Sequence, residues 1–342
     1  MKFTGCEGLP GLAAVAATLA LTPLLSSGAA QAQQPIVMKI SLAALNDPLH
    51  QFAKDFAALL EKDTGGRIKT EIYPASQLGT IPRQIEGTQF GAIQCVITPP
   101  EFYTGVDERF EVLAVPGLVD SIPQAQRLAS DPEVLKLMLG LGADKGLHGI
   151  AIFTSQASQI ISKTAIRHLA DLNGKKLRVF PSQFQTLAYA KYGVTSVAMS
   201  LGDALPALQQ GTIDGSLAGT VIFSAMHYQD AAKFVTNVGQ PMIFGYAAVS
   251  KKWYDALPPD LQQIIDKDAA AATAQANPES IQIASNADKR WLDSGGELID
   301  FPPDEQASMF KTFSTTAAEV SKTKPAVTAA YQVVAGVAQR LK

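Results

Sequence analysis

The sequence is short of cysteine, of histidine and of any excess of one charge. Of two cysteines in 342 residues, Cys6 sits near the start and Cys95 lies inside the strand-like run "AIQCVI", where a lone thiol is a small core residue. Without Cys6, the chain has no pair from which to form an internal disulfide, so an exported form must be held by its core. Lys and Arg number 28 against 31 Asp and Glu, a formal net charge of −3. That balance excludes the basic footprint of a nucleic-acid binder. The four histidines, His50, His148, His168 and His227, have no Cys, His or Asp at metal-ligand spacing, so no metal and no cofactor are expected. H-E-x-x-H, C-x-x-C, G-x-S-x-G and the Walker A pattern are all absent. "GLGADKG" (140–146) fails as a dinucleotide turn because Lys145 stands where the third glycine belongs, and it reads as a helix exit and loop.

Composition allows a large core: 47% of the residues are hydrophobic and 17% charged, which also argues against disorder. The one long apolar run, "GLAAVAATLALTPLL" (11–25), is interrupted by Pro23 and is short of the ~20 residues of a membrane span. With Lys2 before it and the small residues "AQA" (30–32) after it, residues 1–32 read as a signal peptide, which places the mature chain in the periplasm.

The rest alternates strand and helix. "IVMKISLAAL" (36–45), a helix over 46–66 capped by Asn46 or Asp47, and "RIKTEIY" (67–73) make a β-α-β unit. A helix at 82–90 stopped by Gly91, the strand around Cys95, a helix near 131–140 and the strand "LHGIAIF" (147–153) repeat the theme. After Thr154 the alternation restarts: strand "KKLRVF", helix 183–192 closed by Gly193, strand 196–199, and a helix at 201–210 opened by a capping box "SLGD". "TID" and "KFVTNV" read as short strands. The last third is helical, with Pro278 expected to break a helix that starts at 257, "ELIDF" (297–301) as a returning strand and two closing helices. This pattern implies two α/β lobes sharing one chain, with a cleft between them. Lobe one is expected to comprise 33–154 with about 243–283, and lobe two 155–242 with about 284–342.

Arg178 stands out, a guanidinium between Leu177 and Val179 in a buried strand. Unpaired, it would cost several kcal/mol, so it needs an anion, carbonyls or water at its tip. An internal ion pair with a nearby Asp satisfies that need, and so does a ligand carboxylate held in a cleft by two parallel hydrogen bonds.

"TGGRIKTEIYPASQLG" (64–79), "DLNGKKLRV" (171–179), "LAYAKYG" (187–193), "ALQQGTIDG" (207–215) and "SKKWYDALPPDLQQII" (250–265) decide where to look next. In this order and spacing they resemble the solute-binding proteins of tripartite ATP-independent periplasmic (TRAP) transporters, of the dicarboxylate-binding type. The resemblance spans nearly the whole mature chain. It implies a two-lobed periplasmic receptor, not an enzyme, that closes on an organic acid and passes it to TRAP membrane permease subunits. It also implies that Arg178, the arginine of the "K-x-R-V" strand, holds the ligand carboxylate.

Departures from the family pattern narrow the ligand. Where many members have a second arginine the chain has Ser158, with Gln159 beside it. Ala218 stands in place of a ligand-binding Asn, and Gln94 in place of an Asp. One cation and one amide fewer point away from sialic-acid-like or strongly dianionic ligands and toward a monocarboxylate with an apolar or aromatic body. Phe102, Tyr103, Phe180 and Phe184 are candidate walls, and Asn46, His50, Gln77 and Tyr103 are the candidate contacts from lobe one. A monomer is expected. A ligand sensor for a two-component kinase, and less so a periplasmic hydrolase or lyase, are the alternatives.

Overall fold

A computed structural model describes residues 34–321 and 323–342, and the expected leader, 1–32, lies outside them. The described chain opens with strand β1 (Ile36–Leu42), helix α1 (Pro48–Asp63) and strand β2 (Ile68–Tyr73). Asp47 caps α1 by accepting the His50 N–H, and Pro48 occupies the first turn, where its missing N–H costs nothing. Leu49, Phe52, Phe56 and Leu60 recur at helical spacing and are buried, so this stripe fixes α1 on the sheet. Helix α2 (Ile81–Phe90) ends at Gly91, whose φ of +85° suits a residue without a side chain. Strand β3 (Cys95–Thr98) then pairs parallel to β1. Two 3-10 turns (Pro100–Tyr103 and Glu108–Ala114) and helices α3 (Ile122–Ala129) and α4 (Pro132–Leu139) lead to strand β4 (Leu147–Ser162).

β4 is much longer than its apolar opening suggests, and it pairs antiparallel with an equally long β8 (Phe234–Ser250). Between them lie strand β5 (Lys176–Val179), helix α5 (Gln183–Ala190), strand β6 (Thr195–Ala198), helix α6 (Leu201–Gln210), strand β7 (Gly215–Ala218) and helix α7 (Thr220–Ala225). The strand order is β2-β1-β3-β8-β4-β7-β5-β6. The first half of β4 and the second half of β8 continue the β1–β3 sheet, and their other halves continue the β5–β7 sheet. The ladder is broken where they cross, with register shifts at Thr154/Gln156 and Ala157/Gln159. A pair of long strands that carries one nine-stranded sheet through both halves in this way yields the two-lobed α/β fold.

Short helix α8 (Lys251–Asp255) is followed by α9 (Pro259–Asp293), strand β9 (Glu297–Asp300) beside β8, and helices α10 (Pro303–Ser321) and α11 (Pro325–Arg340). Several expectations need correcting. Pro278 does not break the helix: α9 runs through it for 35 residues. The turn is tied to its neighbours, since the Asn277 carbonyl accepts Gln126 Nε2 (2.5 Å) and the Asn277 amide oxygen accepts the Thr154 N–H, while within the helix Ser280 Oγ bonds the same carbonyl (2.7 Å). Pro278 removes the bond to the Ala274 carbonyl, and the contacts at Asn277 anchor the turn to its neighbours rather than replace that bond. The "SLGD" capping box is not formed, because Ser200 makes no side-chain cap bond. "TID" is not a strand: Asp214 instead bonds the Lys176 backbone through both its N–H and its carboxylate (2.8 Å each). α11 does not join the second lobe, where 284–342 was placed. It packs on α3, α4 and the 108–114 turn, burying Val327, Val334 and Val337.

Candidate functional site

Arg178 is fully buried on β5, between Val197 of β6 and Ser216 of β7. Its side chain runs to the carboxyl ends of these parallel strands, where open α/β sheets bind ligands. There Nε donates to the Met199 carbonyl at 3.0 Å and Nη1 to the Leu217 carbonyl at 2.6 Å. Nη2 is buried with no partner. No carboxylate pairs with Arg178 among the described residues. The guanidinium carbon lies 4.7 Å from the Phe180 ring centroid and 6.0 Å from that of Phe102, and the two rings meet edge to face at 5.9 Å. Burial lowers the Arg178 pKa to about 10, with Tyr228, Glu101 and Asp203 pulling the other way, so it remains a cation at neutral pH.

Arg178 lines a narrow cavity of about 40 Å³. One wall comes from β1, α1 and β3: Ala43, Ala44, Asp47, Leu49, Ile97 and Thr98. The other carries Phe180, Leu201, Ala218 and Ile222, and Ser155, Gln156 and Ile243 come from the strand crossing. Ser155 and Gln156 are sequence neighbours, whose side chains would point to opposite faces of a regular strand. The register shift between Thr154 and Gln156 makes Ser155 an extra residue and lets both line one cavity. Gln156 is held over Gly219, where any side chain would collide with its amide.

The polar groups of the cavity are incompletely satisfied. Thr98 Oγ1 and Ser155 Oγ, like Arg178 Nη2, are buried without a hydrogen-bond partner. Asp47 is 2% exposed, and burial pushes its pKa up to about 7 despite backbone N–H groups of His50 and Leu49 that favour the anion. Beyond the cavity wall Glu101 is raised to about 7, first by burial and then by Glu111, while Arg178 favours its charged form.

Of the expected site residues, the structure brings Arg178, Phe180 and Ala218 to this cavity, together with Phe102. Ser158 is buried in the strand crossing, and the Gln159 amide oxygen accepts the Thr220 N–H at 2.7 Å, both away from the cavity. Asn46 is exposed with φ +52°, and its N–H bonds His50 Nδ1. His50 is buried, and that burial lowers its pKa. Gln77 is exposed. Tyr103 is a core residue packed against Phe110 and Tyr246, with its hydroxyl donating to the Val96 carbonyl. Phe184 is likewise core, beside Tyr331. Sequence reasoning missed Asp47, Thr98, Ser155 and Gln156. Asp47 was visible as a helix cap, a signal that says nothing about a cavity, and no local pattern marks the bulge at Ser155.

Other chemistry is sparse. Cys95 is buried in β3, where burial pushes its thiol far up and leaves it unreactive. Among the described residues no three His, Cys, Asp or Glu side chains are grouped to hold a metal ion. No described helix is long and apolar enough to cross a membrane.

The model of the family "bacterial extracellular solute-binding protein, family 7" matches residues 41–323. The C4-dicarboxylate-binding periplasmic protein DctP of Rhodobacter capsulatus is 27% identical over 280 residues, 80% of this chain and 83% of that protein. Among solved structures, a TRAP periplasmic solute-binding protein of Desulfovibrio salexigens with bound orotic acid superposes with a TM-score of 0.84 at 22% identity, over 90% of this chain and 99% of that one. The sugar acid binding protein of Advenella mimigardefordensis in complex with galactonate gives 0.83 at 21% identity, again over 90% and 99%.

Proposed function

The chain belongs to the bacterial extracellular solute-binding proteins of family 7, the receptors of TRAP transporters, and from that premise we propose that it captures a monocarboxylate with an apolar or aromatic body. As a binding receptor it has no bond to break, which removes the hydrolase and lyase alternatives. The observation that carries the proposal is the state of Arg178: a buried guanidinium with two carbonyl acceptors, no anion, and one Nη2 left without a partner beside a cavity. A carboxylate entering there completes the donor set and neutralises a buried charge, which is worth far more in this setting than in water.

The remaining wall favours an apolar body. Leu49, Ile81, Ile97, Phe102, Phe180 and Ile222 surround the anchor, and Arg178 is the cavity's one cation among the described residues. Relatives that bind C4-dicarboxylates, orotic acid or galactonate have the carboxylate in common. Entry requires the two walls to part, and the irregular crossing of β4 and β8 at 154–159 is the place for that movement. A ligand that touches both walls then stabilises the closed form by its differential affinity for it. In this reading residues 1–32 export the chain to the periplasm, the hinge divides the lobes near 154/155 and 242/243, and the closed form docks on TRAP membrane permease subunits. The test is mass spectrometry of acid retained by the purified protein, followed by thermal shift with that acid. Stabilisation of the wild type but not of Arg178→Ala is expected, and equal stabilisation of both rejects the proposal.

A further inference from the structure

The wall opposite the anchor carries an acid that the capture of a simple carboxylate does not use. Asp47 lines the cavity at the β1–α1 junction and is almost wholly buried. Its Oδ1 caps α1 through the His50 N–H at 2.9 Å, and no Lys, Arg or His pairs with it among the described residues. Neither a hydrogen bond nor an ion pair joins Asp47 to Arg178 among the described residues, so Asp47 is not its counter-ion. Two hydroxyls without partners, Thr98 Oγ1 and Ser155 Oγ, line the same cavity. A helix cap alone needs only backbone N–H partners and gives no reason for a cavity position. A carboxyl aimed at a space that also holds unsatisfied hydroxyls has the chemistry of a ligand contact.

Resting on the capture of a carboxylate by Arg178, we infer that Asp47 is a second specificity group, which selects acids that also bear a hydrogen-bond donor, a hydroxyl or an ammonium, and rejects dicarboxylates. A donor on the ligand satisfies the Asp47 carboxylate, and a hydrogen bond to a charged group is worth about tenfold or more in affinity. Above its raised pKa of about 7 the Asp47 carboxyl is ionised, and there a second ligand carboxylate meets like charge in a poorly hydrated space and is repelled.

A matched five-carbon series tests the inference by titration calorimetry on the mature chain: pentanoate, its 2-, 3-, 4- and 5-hydroxy derivatives, norvaline, 5-aminopentanoate and glutarate. In the wild type at least one donor-bearing acid should bind about tenfold tighter than pentanoate, and glutarate should bind weaker than pentanoate. Which arm wins separates hydroxyl from ammonium. Asp47→Asn keeps the helix cap, because Asn is as good a cap as Asp. It presents an N–H₂ to the ligand's donor, so the preference should fall to within about twofold while glutarate gains. Pentanoate binding as well as every donor-bearing acid, or selectivity unchanged in Asp47→Asn, overturns the inference. If Arg178→Ala retains wild-type affinities, or if none of the series binds the wild type, the capture reading falls and this inference falls with it. Loss of binding in Arg178→Ala with unchanged selectivity in Asp47→Asn rejects the role of Asp47 alone.

Discussion

Arg178 and Glu111 are both almost sealed from solvent, at 0% and 1% exposure, yet the fold completes the partner set of one and leaves the other open. Glu111, on the 108–114 turn, accepts the Gln183 N–H at 2.8 Å and Ser182 Oγ at 3.4 Å at the start of α5. It pairs with Lys324 Nζ at 3.1 Å ahead of α11. Every contact comes from the chain itself, and together they tie three distant segments. Arg178 has two carbonyls, two aromatic rings and one donor with nothing to bond. Burying a charge costs free energy in both regions, but only at Glu111 does the protein offset that cost internally. The contrast separates a structural charge from one held for an external partner.

The largest effect expected from this contrast is on binding. Arg178→Ala should weaken capture of the physiological acid by about 100-fold or more, because it deletes a charge-assisted pair in a desolvated site. Circular dichroism should report an intact fold, and a surviving ligand-induced thermal shift would erase the distinction between the two residues. Glu111→Ala should do the opposite. Removing one member of a largely buried pair is expected to cost about 2–4 kcal/mol of stability by urea unfolding, with affinity per folded molecule changed less than about threefold.

A third substitution sharpens the comparison by changing pH. Burial raises Glu101 to about 7, so the folded protein holds a proton that the unfolded chain releases at the ordinary carboxylate pKa. This contribution is complete below about pH 4.5 and is lost as pH rises through about 7, on the order of 3 kcal/mol in all. Glu101→Gln should flatten that decline in urea midpoints measured from acid to neutral pH. A slope equal to that of the wild type would show that the Glu101 carboxyl is ionised within the fold. The smallest effect belongs to the aromatic wall. Phe180→Leu retains apolar bulk but removes the ring beside the guanidinium, and should weaken acid binding by about three- to tenfold in calorimetry. An unchanged Kd would make Phe180 only a spacer.

Much of this protein was legible before folding. The stripe of α1, the glycine stop at Gly91, the β-α-β opening and the isolated charge at Arg178 are consequences of local periodicity and sterics, and each of these stands where those rules put it. Elements set by distant partners differ from the local expectation: α9 continues through Pro278, anchored at Asn277 by Gln126 and Thr154, and α11 lies on α3 and α4, where its apolar face is buried. The site divides along the same line. A guanidinium in an apolar strand announces that some partner must exist, since its charge cannot be shed. Whether that partner is an aspartate of the chain or a carboxylate from outside depends on which side chains meet at the strand ends, and so does the gathering of Asp47, Thr98 and Ser155 around one cavity. Those encounters join residues as far apart as Asp47 and Ser155, 108 positions, and turn on a single extra residue in β4, a geometric fact with no trace in composition or period.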